Sequence, residues 1–283
     1  MTDWKKEAER LYFEKKLTWD EITQIITFEG LPPEKCRNKI RDYIRTTERY
    51  KQEHQKTNVV GVFSDVHIPF DHPNYLQFLK DTFKKHNITT VVCVGDLVDN
   101  HAISDYKPNP CSKGAYDELD MAIERCAEYV KAFKRVKMVL GNHDLRPFRQ
   151  AATIGMGERF LKPINELLHL PKTWEIVGEE LIIDNVLYKH GINCGGKDGA
   201  INSAMLERMS TVIGHSHSFG GCKYSANKRD IVFGLNVGCG IDIDTYAFEY
   251  GSYSKYRPTL GCGIVFSDSS AMFVPMGKEY FRG

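Results

Sequence analysis

NVVGVFSDVH, residues 58–67, is a short apolar run that ends abruptly in serine, aspartate and histidine. The same arrangement recurs in TTVVCVGDLVD at 89–99 and in VKMVLGNHD at 136–144. Segments with helical character lie between these runs, at 73–86 and at about 113–134. Buried strands that alternate with polar turns and helices are typical of a parallel sheet, in which ligands bind beyond the carboxyl ends of the strands. The sequence therefore predicts an α/β fold with a polar site at one edge of a sheet.

The second half of the chain is richer in strand patterns. LIIDNVLYKHG, at 181–191, predicts a hairpin that turns at Asp184-Asn185, because such residues adopt the backbone conformations of tight hairpins. Further strands are predicted in STVIGHSHS at 210–218, DIVFGLNVG at 230–238 and GCGIVFSDSSAMFVPM at 261–276. Helices are predicted within 145–170 and 198–209.

Composition limits the classes of protein that the chain can represent. Its 283 residues allow one large domain and one small one. The 38 basic and 37 acidic residues give a net charge of +1, which excludes a protein that binds polyanions through its overall charge. No run approaches the roughly 18 apolar residues of a membrane span, and MTDWKKEAER is too charged for a signal peptide. The eight scattered cysteines include no CxxC pair, so we expect reduced thiols and a cytoplasmic location.

Residues 1–57 differ from the rest, since they are rich in charge and contain a single glycine. A first helix is predicted from Trp4 to Phe13. Thr18 and Glu21 form a capping box before a second helix. Two prolines at 32–33 suit the first turn of a third helix, which is predicted to run from about Glu34 to Tyr50. The polar segment 50–57 is the predicted linker, so the domain boundary is expected between 57 and 58.

Five short motifs contain most of the residues that could bind metal ions or take part in catalysis. They are Asp65-Val66-His67, Gly95-Asp96-Leu97-Val98-Asp99, Gly141-Asn142-His143-Asp144, His190-Gly191 and Gly214-His215-Ser216-His217. Carboxylates, imidazoles and an amide without cysteine suit Mn²⁺, Fe or Zn²⁺ better than a structural zinc site. The motifs hold too many ligands for one ion, and two ions can together activate a water and stabilise an in-line displacement at phosphorus. Histidine binds metal only when neutral, so activity is expected to fall in acid.

In this order the motifs resemble the calcineurin-like metallophosphoesterase superfamily, whose pattern is DxH, GDxxD, GNH(D/E), a later histidine and GHxH. The resemblance covers about 57–275. It implies an αββα sandwich over 58–283, with two divalent ions at the strand ends. Manganese is the first expectation, with iron, zinc or nickel as alternatives.

The resemblance also implies a role for each matching residue. Asp65, His67 and His217 would bind one ion, Asn142, His190 and His215 would bind the other, and Asp96 would bridge the two. His143 would protonate the leaving oxygen, and Asp99 would orient and polarise His143.

The sequence departs from the pattern of many superfamily phosphatases at one position. Where those enzymes continue GDxxD with an arginine that binds the substrate phosphate, Asn100 follows Asp99 here. An amide can donate a hydrogen bond but carries no charge, which favours a diester monoanion over a monoester dianion. Arg146 is a candidate for supplying the missing charge. The alternative is that Arg146 is an exposed residue in the first turn of a helix.

The N-terminal helices resemble a helix-turn-helix domain of the kind fused to some phage-type metallophosphoesterases. Arg37, Arg41 and Arg45 stand four residues apart on the third helix and could meet nucleic-acid phosphates. The alternative is a solvated face of a small bundle used for docking or oligomerisation. A phage or bacterial origin, with location in the host cytoplasm, goes with this resemblance.

Two further stretches are candidates for the border of the site. Residues 101–117 follow the GDLVDN turn and could form its wall or a simple loop. The stretch 239–256 contains Tyr246, Tyr250, Tyr253 and Tyr256, which could stack on bases or pack ordinarily.

The sequence thus predicts a metal-dependent phosphoester hydrolase, with a phosphodiesterase or nuclease acting on nucleic acid or nucleotides as the first expectation. A phosphomonoesterase, including a protein phosphatase, is the alternative enzyme. A DNA-binding regulator that uses the fold as a platform is the alternative from another class. The expected partners are a phosphoester substrate and, through residues 1–57, DNA or RNA, with no membrane; the sequence leaves the oligomeric state open.

Overall fold

The structure is a computed structural model, and it describes residues 4–47, 49, 58–105, 112–242, 244–245, 257–268 and 270–281. The chain divides into two compact units, Met1–Thr57 and Asn58–Gly283. The predicted linker at 50–57 and the tyrosines at 246–256 lie outside the described residues, as do 106–111 of the stretch 101–117. No helix in the described part is long and apolar enough to cross a membrane.

The first unit contains three α-helices in its described part. They are α1 (Trp4–Glu9), which continues into a π-helical turn at Arg10–Glu14, α2 (Trp19–Ile25) and α3 (Pro33–Thr46). The predicted capping box is confirmed, because Thr18 and Glu21 satisfy each other's backbone N–H groups at the start of α2. Pro33 occupies the first turn of α3 as predicted, and Cys36, Ile40 and Ile44 form its buried face.

The second unit is built on two sheets. The strands are β1 (Val60–Phe63), β2 (Thr90–Val94), β3 (Val136–Val139), β4 (Trp174–Gly178), β5 (Glu180–Ile183), β6 (Val186–Lys189), β7 (Ser210–Ile213), β8 (Gly220–Ala226), β9 (Ile231–Val237), β10 (Gly261–Val265) and β11 (Ala271–Pro275). The larger sheet has the order β11-β10-β1-β2-β3-β4, in which β1 to β4 are parallel, β10 pairs antiparallel with β1, and β11 pairs antiparallel with β10. The smaller sheet has the order β5-β6-β7-β9-β8, with a parallel centre and antiparallel edges.

This unit also contains five α-helices in its described part. They are α4 (Tyr75–Lys85), α5 (Ala115–Ala132), α6 (Arg146–Thr153), α7 (Ile164–Leu167) and α8 (Gly199–Glu207). Phe63 and Met138 point outward from the larger sheet into a core that includes Phe78 of α4 and Tyr129 of α5. The backbone of α8 approaches β9 so closely that a Cβ at Gly234 would lie 2.2 Å from the Ile201 nitrogen.

A second core lies between the two sheets and confirms the predicted αββα sandwich. It combines Val62 and Val92 of the larger sheet with Tyr188 and Leu235 of the smaller one, all buried. Alternate residues of β1 and β2 therefore face opposite layers, as a sheet covered on both faces requires.

The predicted β5–β6 hairpin is confirmed, and Asp184 and Asn185 both adopt left-handed backbone conformations at its turn, with φ values of 49° and 60°. The helical region predicted at 145–170 is interrupted. Gly155 adopts a φ of 76°, a second glycine follows at 157, and Pro163 precedes α7, so the segment forms α6, a 3₁₀ turn at Glu158–Phe160 and the short α7. The seven cysteines in the described part are all free thiols.

Candidate metal centre

The predicted site residues lie in the turns that follow five strands of the sandwich. Asp65 and His67 follow β1, Asp96 and Asp99 follow β2, Asn142 and His143 follow β3, His190 follows β6, and His215 and His217 follow β7. Four of them, Asp65, His67, Asp96 and His215, have left-handed backbone conformations with φ between 50° and 65°. Such conformations cost free energy in residues other than glycine and are concentrated at functional sites. The fold therefore holds these side chains by fixing unusual backbone turns.

The first ligand group consists of Asp65, His67 and His217. The His217 Nε2 lies 3.1 Å from the Asp65 Oδ1 and 3.1 Å from the His67 Nε2. Ligand atoms of all three residues lie within 4.8 Å of one another. The structure thus brings together the three residues that the resemblance assigns to one ion.

The second ligand group surrounds the Nε2 of His190. The Asn142 Oδ1 lies 3.0 Å away, the Asp96 Oδ2 3.1 Å and the His215 Nδ1 3.2 Å. The same Asp96 Oδ2 is 3.8 Å from the His67 Nε2 of the first group. Asp96 therefore lies between the two groups, where a bridging carboxylate is expected.

The hydrogen bonds of His190 show that this donor set fits a cation. Its Nδ1 lies 2.9 Å from the backbone oxygen of Val94 and must carry the proton that this contact needs. The Nε2 of a neutral His190 then presents a lone pair toward the oxygens of Asp96 and Asn142, which are themselves acceptors. Facing lone pairs repel one another, and a divalent ion held among them turns the repulsion into coordination.

Neighbouring carboxylates raise the pKa values of the His67 and His190 rings. Burial lowers the pKa of His67, but its hydrogen bonds to Asp65 and Asp99 outweigh burial and raise that pKa to about 10. Burial also lowers the pKa of His190, and the charge of Asp96 raises it to about 9. Metal ions must displace protons from both rings below about pH 9, so metal affinity is expected to fall as the pH is lowered.

His143 and Asp99 lie in contact, as the predicted catalytic pair requires. The His143 Nδ1 is 2.8 Å from the backbone oxygen of Asp99 and 3.1 Å from its Oδ1. Asp99 also accepts from the His67 Nδ1 at 2.5 Å, a contact that the motif pattern did not indicate. Burial raises the pKa of Asp99, but the hydrogen bonds from His143 and His67 hold it well below its usual range. Asp99 therefore remains ionised and orients one candidate ligand and the candidate acid together.

Both predicted substrate-binding residues use their donors within the protein. The Asn100 Nδ2 donates to the His143 carbonyl oxygen at 2.9 Å. The Nη1 of Arg146 donates to the carbonyl oxygens of Asp99 and Asn100, and its Nη2 lies 3.2 Å from the His143 Nε2. Arg146 is only 8% exposed, so the alternative of an exposed helix residue is wrong. Its guanidinium ties the start of α6 to the GDLVDN turn.

Asp144, the last residue of GNHD, has a role that the sequence did not reveal. Its buried carboxylate accepts from the backbone N–H groups of Asp96, Leu97 and Gly141 at 2.8–3.0 Å, and from Val98 at 3.3 Å. Burial and the neighbouring charge of Asp96 raise its pKa to about 7. Asp144 thus joins the turns after β2 and β3, which carry the bridging carboxylate and the candidate acid.

Replacing Asp144 with alanine is expected to destabilise the protein by about 3 kcal/mol or more, because several buried N–H groups lose their acceptor. The midpoint of urea unfolding measures this loss, with exposed Asp117→Ala as the matched control. A midpoint equal to that of the control would show that the turns do not depend on this carboxylate.

The arginines predicted to bind nucleic acid lie on α3 of the first unit. Arg37 and Arg45 are exposed and Arg41 is half-buried. Arg37 forms an ion pair with Asp20 at 3.3 Å, and Arg41 contacts Asp42 at 3.3 Å. Two of the three charges are therefore partly balanced within the unit.

The described part of the stretch 101–117 contains a 3₁₀ turn, His101–Ile103, held by Glu118, which accepts from the N–H groups of His101 and Ala102. Together with Asn100 and Val98 this turn lines a mostly apolar cavity of about 170 Å³. The stretch thus borders a cavity next to the GDLVDN turn.

Comparison with solved structures finds similar chains of low identity. Vacuolar Protein Sorting 29 from Cryptosporidium parvum is 13% identical, with 78% of this chain and 99% of that chain covered and a TM-score of 0.40. The phosphoesterase Yfce from E. coli is 16% identical, with 77% and 98% covered and a TM-score of 0.36. The nuclease MPE from Pseudomonas putida is 13% identical, with 76% and 87% covered and a TM-score of 0.34.

No curated protein matches the chain. The family model of the calcineurin-like phosphoesterases matches residues 59–237, which is more than half of the chain and includes all five motifs. This family uses divalent metal ions, and the structure supplies groups of side chains able to hold them. The chain therefore belongs to the calcineurin-like phosphoesterase family and is a metal-dependent phosphoester hydrolase.

Proposed function

We propose that the protein is a phosphodiesterase that cleaves nucleic acid or nucleotides with two divalent ions, Mn²⁺ first among them. The observation that carries this proposal is the pair of ligand groups that share Asp96. Asp65, His67 and His217 would hold one ion, and Asn142, His190 and His215 the other. Oxygen and imidazole ligands without thiolate suit Mn²⁺, with iron, zinc and nickel as alternatives. When bound, such ions supply Lewis-acid stabilisation of the phosphoryl group and an activated water.

His143 is the residue proposed to deliver a proton to the leaving oxygen. It borders the centre, since its ring lies 4.4 Å from that of His67, centroid to centroid. With its Nδ1 fixed on Asp99, the ring would deliver the proton through its Nε2, which lies 3.2 Å from the Arg146 Nη2, so the leaving oxygen would take the place of that contact. General-acid catalysis needs such a positioned group. Asp99 orients the ring, because its carboxylate oxygen lies 3.1 Å from the His143 Nδ1.

The preference for a diester rests on the charges around the centre. Position 100 carries an uncharged amide, and the guanidinium of Arg146 is committed to two backbone carbonyl groups. A monoester dianion gains more from a dedicated cation than a diester monoanion does. Since Asn100 is uncharged and the Arg146 guanidinium is already hydrogen-bonded within the protein, the charges around the centre favour a diester substrate.

The separate unit at 1–57 supports a nucleic-acid substrate. We propose that it is a helix-turn-helix-like domain that binds nucleic acid through Arg37, Arg41 and Arg45 of α3, whereas 58–283 forms the hydrolase domain. The ion pairs of Arg37 and Arg41 with aspartates limit the net positive charge of this face, so weak and salt-sensitive binding is expected.

Hydrolysis of bis(p-nitrophenyl) phosphate and of p-nitrophenyl phosphate, with Mn²⁺ and then with chelator, tests the proposed substrate class. We expect preference for the diester and loss of the activity with chelator. Preference for the monoester would overturn the proposal in favour of a phosphomonoesterase. If neither compound is hydrolysed with several divalent metals, the result would favour a DNA-binding regulator that uses the fold as a platform.

A further inference from the structure

Arg149 reaches the candidate metal centre from the solvent-exposed side of α6. Its Nη2 donates to the main-chain oxygen of Asn142 at 2.8 Å. The side-chain oxygen of Asn142 lies 3.0 Å from the His190 Nε2 within the second ligand group. The guanidinium is thus fixed beside a candidate ligand, yet it touches the main chain of that residue and not its ligand atom. Arg149 therefore stands just outside the ligand shell.

The charge of Arg149 is not balanced by any carboxylate in the part of the chain that the structure describes. Arg146, one helical turn earlier, is buried and directs its donors at Asp99, Asn100 and His143. Arg149 is exposed, and apart from the bond to Asn142 its guanidinium has no acceptor or carboxylate partner among the residues that the structure describes. An exposed guanidinium with unused donors can bind a phosphate in a planar, two-point contact.

Among the residues that the structure describes, Arg149 is an available cation on this flank of the centre. Leu145, one turn before Arg149, lines a cavity of about 200 Å³ that also contacts His190. Arg149 itself does not line this cavity, whose acidic residues are Glu179 and Glu180 and whose lysine is Lys189. Lys189 is paired with Glu207 at 2.7 Å, and the two glutamates repel anions. An anionic group that extends from the centre past Asn142 would therefore be drawn to Arg149.

We infer that Arg149 binds a second phosphate of the substrate, adjacent to the phosphate that is cleaved. This inference rests on the proposed function and narrows its substrate class to strands or nucleotides with two phosphates joined through a sugar. The position outside the ligand shell supports a neighbouring phosphate, because the phosphate to be cleaved must contact the ligand shell itself. Arg149 is thus a specificity-determining residue whose effect appears only when that second phosphate is present.

Calorimetric titration of the Mn²⁺-loaded full chain with thymidine 3′,5′-bisphosphate and with the thymidine 5′- and 3′-monophosphates tests the inference without turnover. For the wild type we expect the bisphosphate to bind at least about tenfold more tightly than the better monophosphate, as one charge-assisted contact provides. In Arg149→Gln that ratio should fall toward one, and Arg149→Lys should keep part of it. Arg135→Gln is the matched control, because Arg135 is exposed and immediately precedes β3, at the opposite end of that strand from the site.

An unchanged ratio in Arg149→Gln would overturn the inference. Equal weakening of the bisphosphate and monophosphates would also overturn it, because Arg149 would then act on the phosphate at the metal ions. Failure of the proposed function gives a different result, namely no diester hydrolysis by the wild type, while the binding ratio still reports on Arg149. Titration of each variant with Mn²⁺ alone verifies that the centre itself is intact.

Discussion

His143→Ala is expected to lower kcat for a dinucleotide phosphodiester by about 10²- to 10⁴-fold, which is the usual contribution of a positioned general acid. The ring of His143 is held by Asp99 at the edge of the ligand groups, so its loss removes the proton donor for the leaving oxygen. A ring nitrogen of His143 lies within 4.8 Å of ligand atoms of His67 and Asp96, but His143 belongs to neither proposed ligand group, so two ions should still bind. Steady-state kinetics together with Mn²⁺ titration separates the two effects.

The leaving group provides an internal test of this role. Nitrophenolate is a weak base that departs without a proton, whereas a sugar alkoxide needs one, so the defect should be much smaller with bis(p-nitrophenyl) phosphate. His169→Ala is the matched control, because His169 is exposed and follows α7. Full turnover of the dinucleotide by His143→Ala would show that the mechanism is wrong.

Asp96→Asn is expected to have the other large effect. The substitution keeps the shape of the side chain and an oxygen that can accept from the backbone N–H of His143, which in the wild type donates to the Oδ1 at 2.7 Å. It removes the charge that lies between the two ligand groups. A metal ion contributes several kcal/mol of transition-state stabilisation, so kcat should fall by about a thousandfold or more.

Metal analysis and thermal unfolding identify the cause of that loss. Asp96→Asn should retain at most one ion per chain, and Mn²⁺ should raise its melting temperature less than that of the wild type. Without metal the variant should be less stable than the wild type at neutral pH, because His190 outweighs burial and lowers the pKa of Asp96 to about 2, so the ionised carboxylate stabilises the fold. Exposed Asp120→Asn serves as the control. Wild-type metal content and turnover in Asp96→Asn would contradict the bridging role.

The parts of the fold that the sequence predicted are those specified by local pattern. The apolar runs of β1, β2 and β3 end at polar turns, and the structure confirms them as parallel neighbours. The hairpin at Asp184-Asn185 and the capping box at Thr18 follow from short-range backbone chemistry, which adjacent residues determine.

Two strands that the sequence did not predict, β4 and β8, are defined by the strands with which they pair. β4 begins at Trp174 with a mixed buried and exposed pattern, and it is a strand because it adds to β3. β8 contains two glycines and polar residues, and it forms along β9 through seven aligned pairs. Strand propensity is weak in β8, so pairing with β9 determines its structure.

The candidate site was predicted residue by residue, but its supporting contacts were not. The motifs placed the ligands and His143 at strand ends, which is where the chain brings them together. The second contact of Asp99, the four N–H groups at Asp144 and the burial of Arg146 join separate turns. Spacing in the sequence carries no information about which turns meet, so these roles required the structure.

Anomalous X-ray diffraction from crystals of the full chain grown with Mn²⁺ is the most direct test of the two-metal centre. We predict two anomalous peaks per chain, one among Asp65, His67 and His217 and one among Asn142, His190 and His215, with the Asp96 carboxylate between them. A single peak, or peaks away from these side chains, would contradict the account.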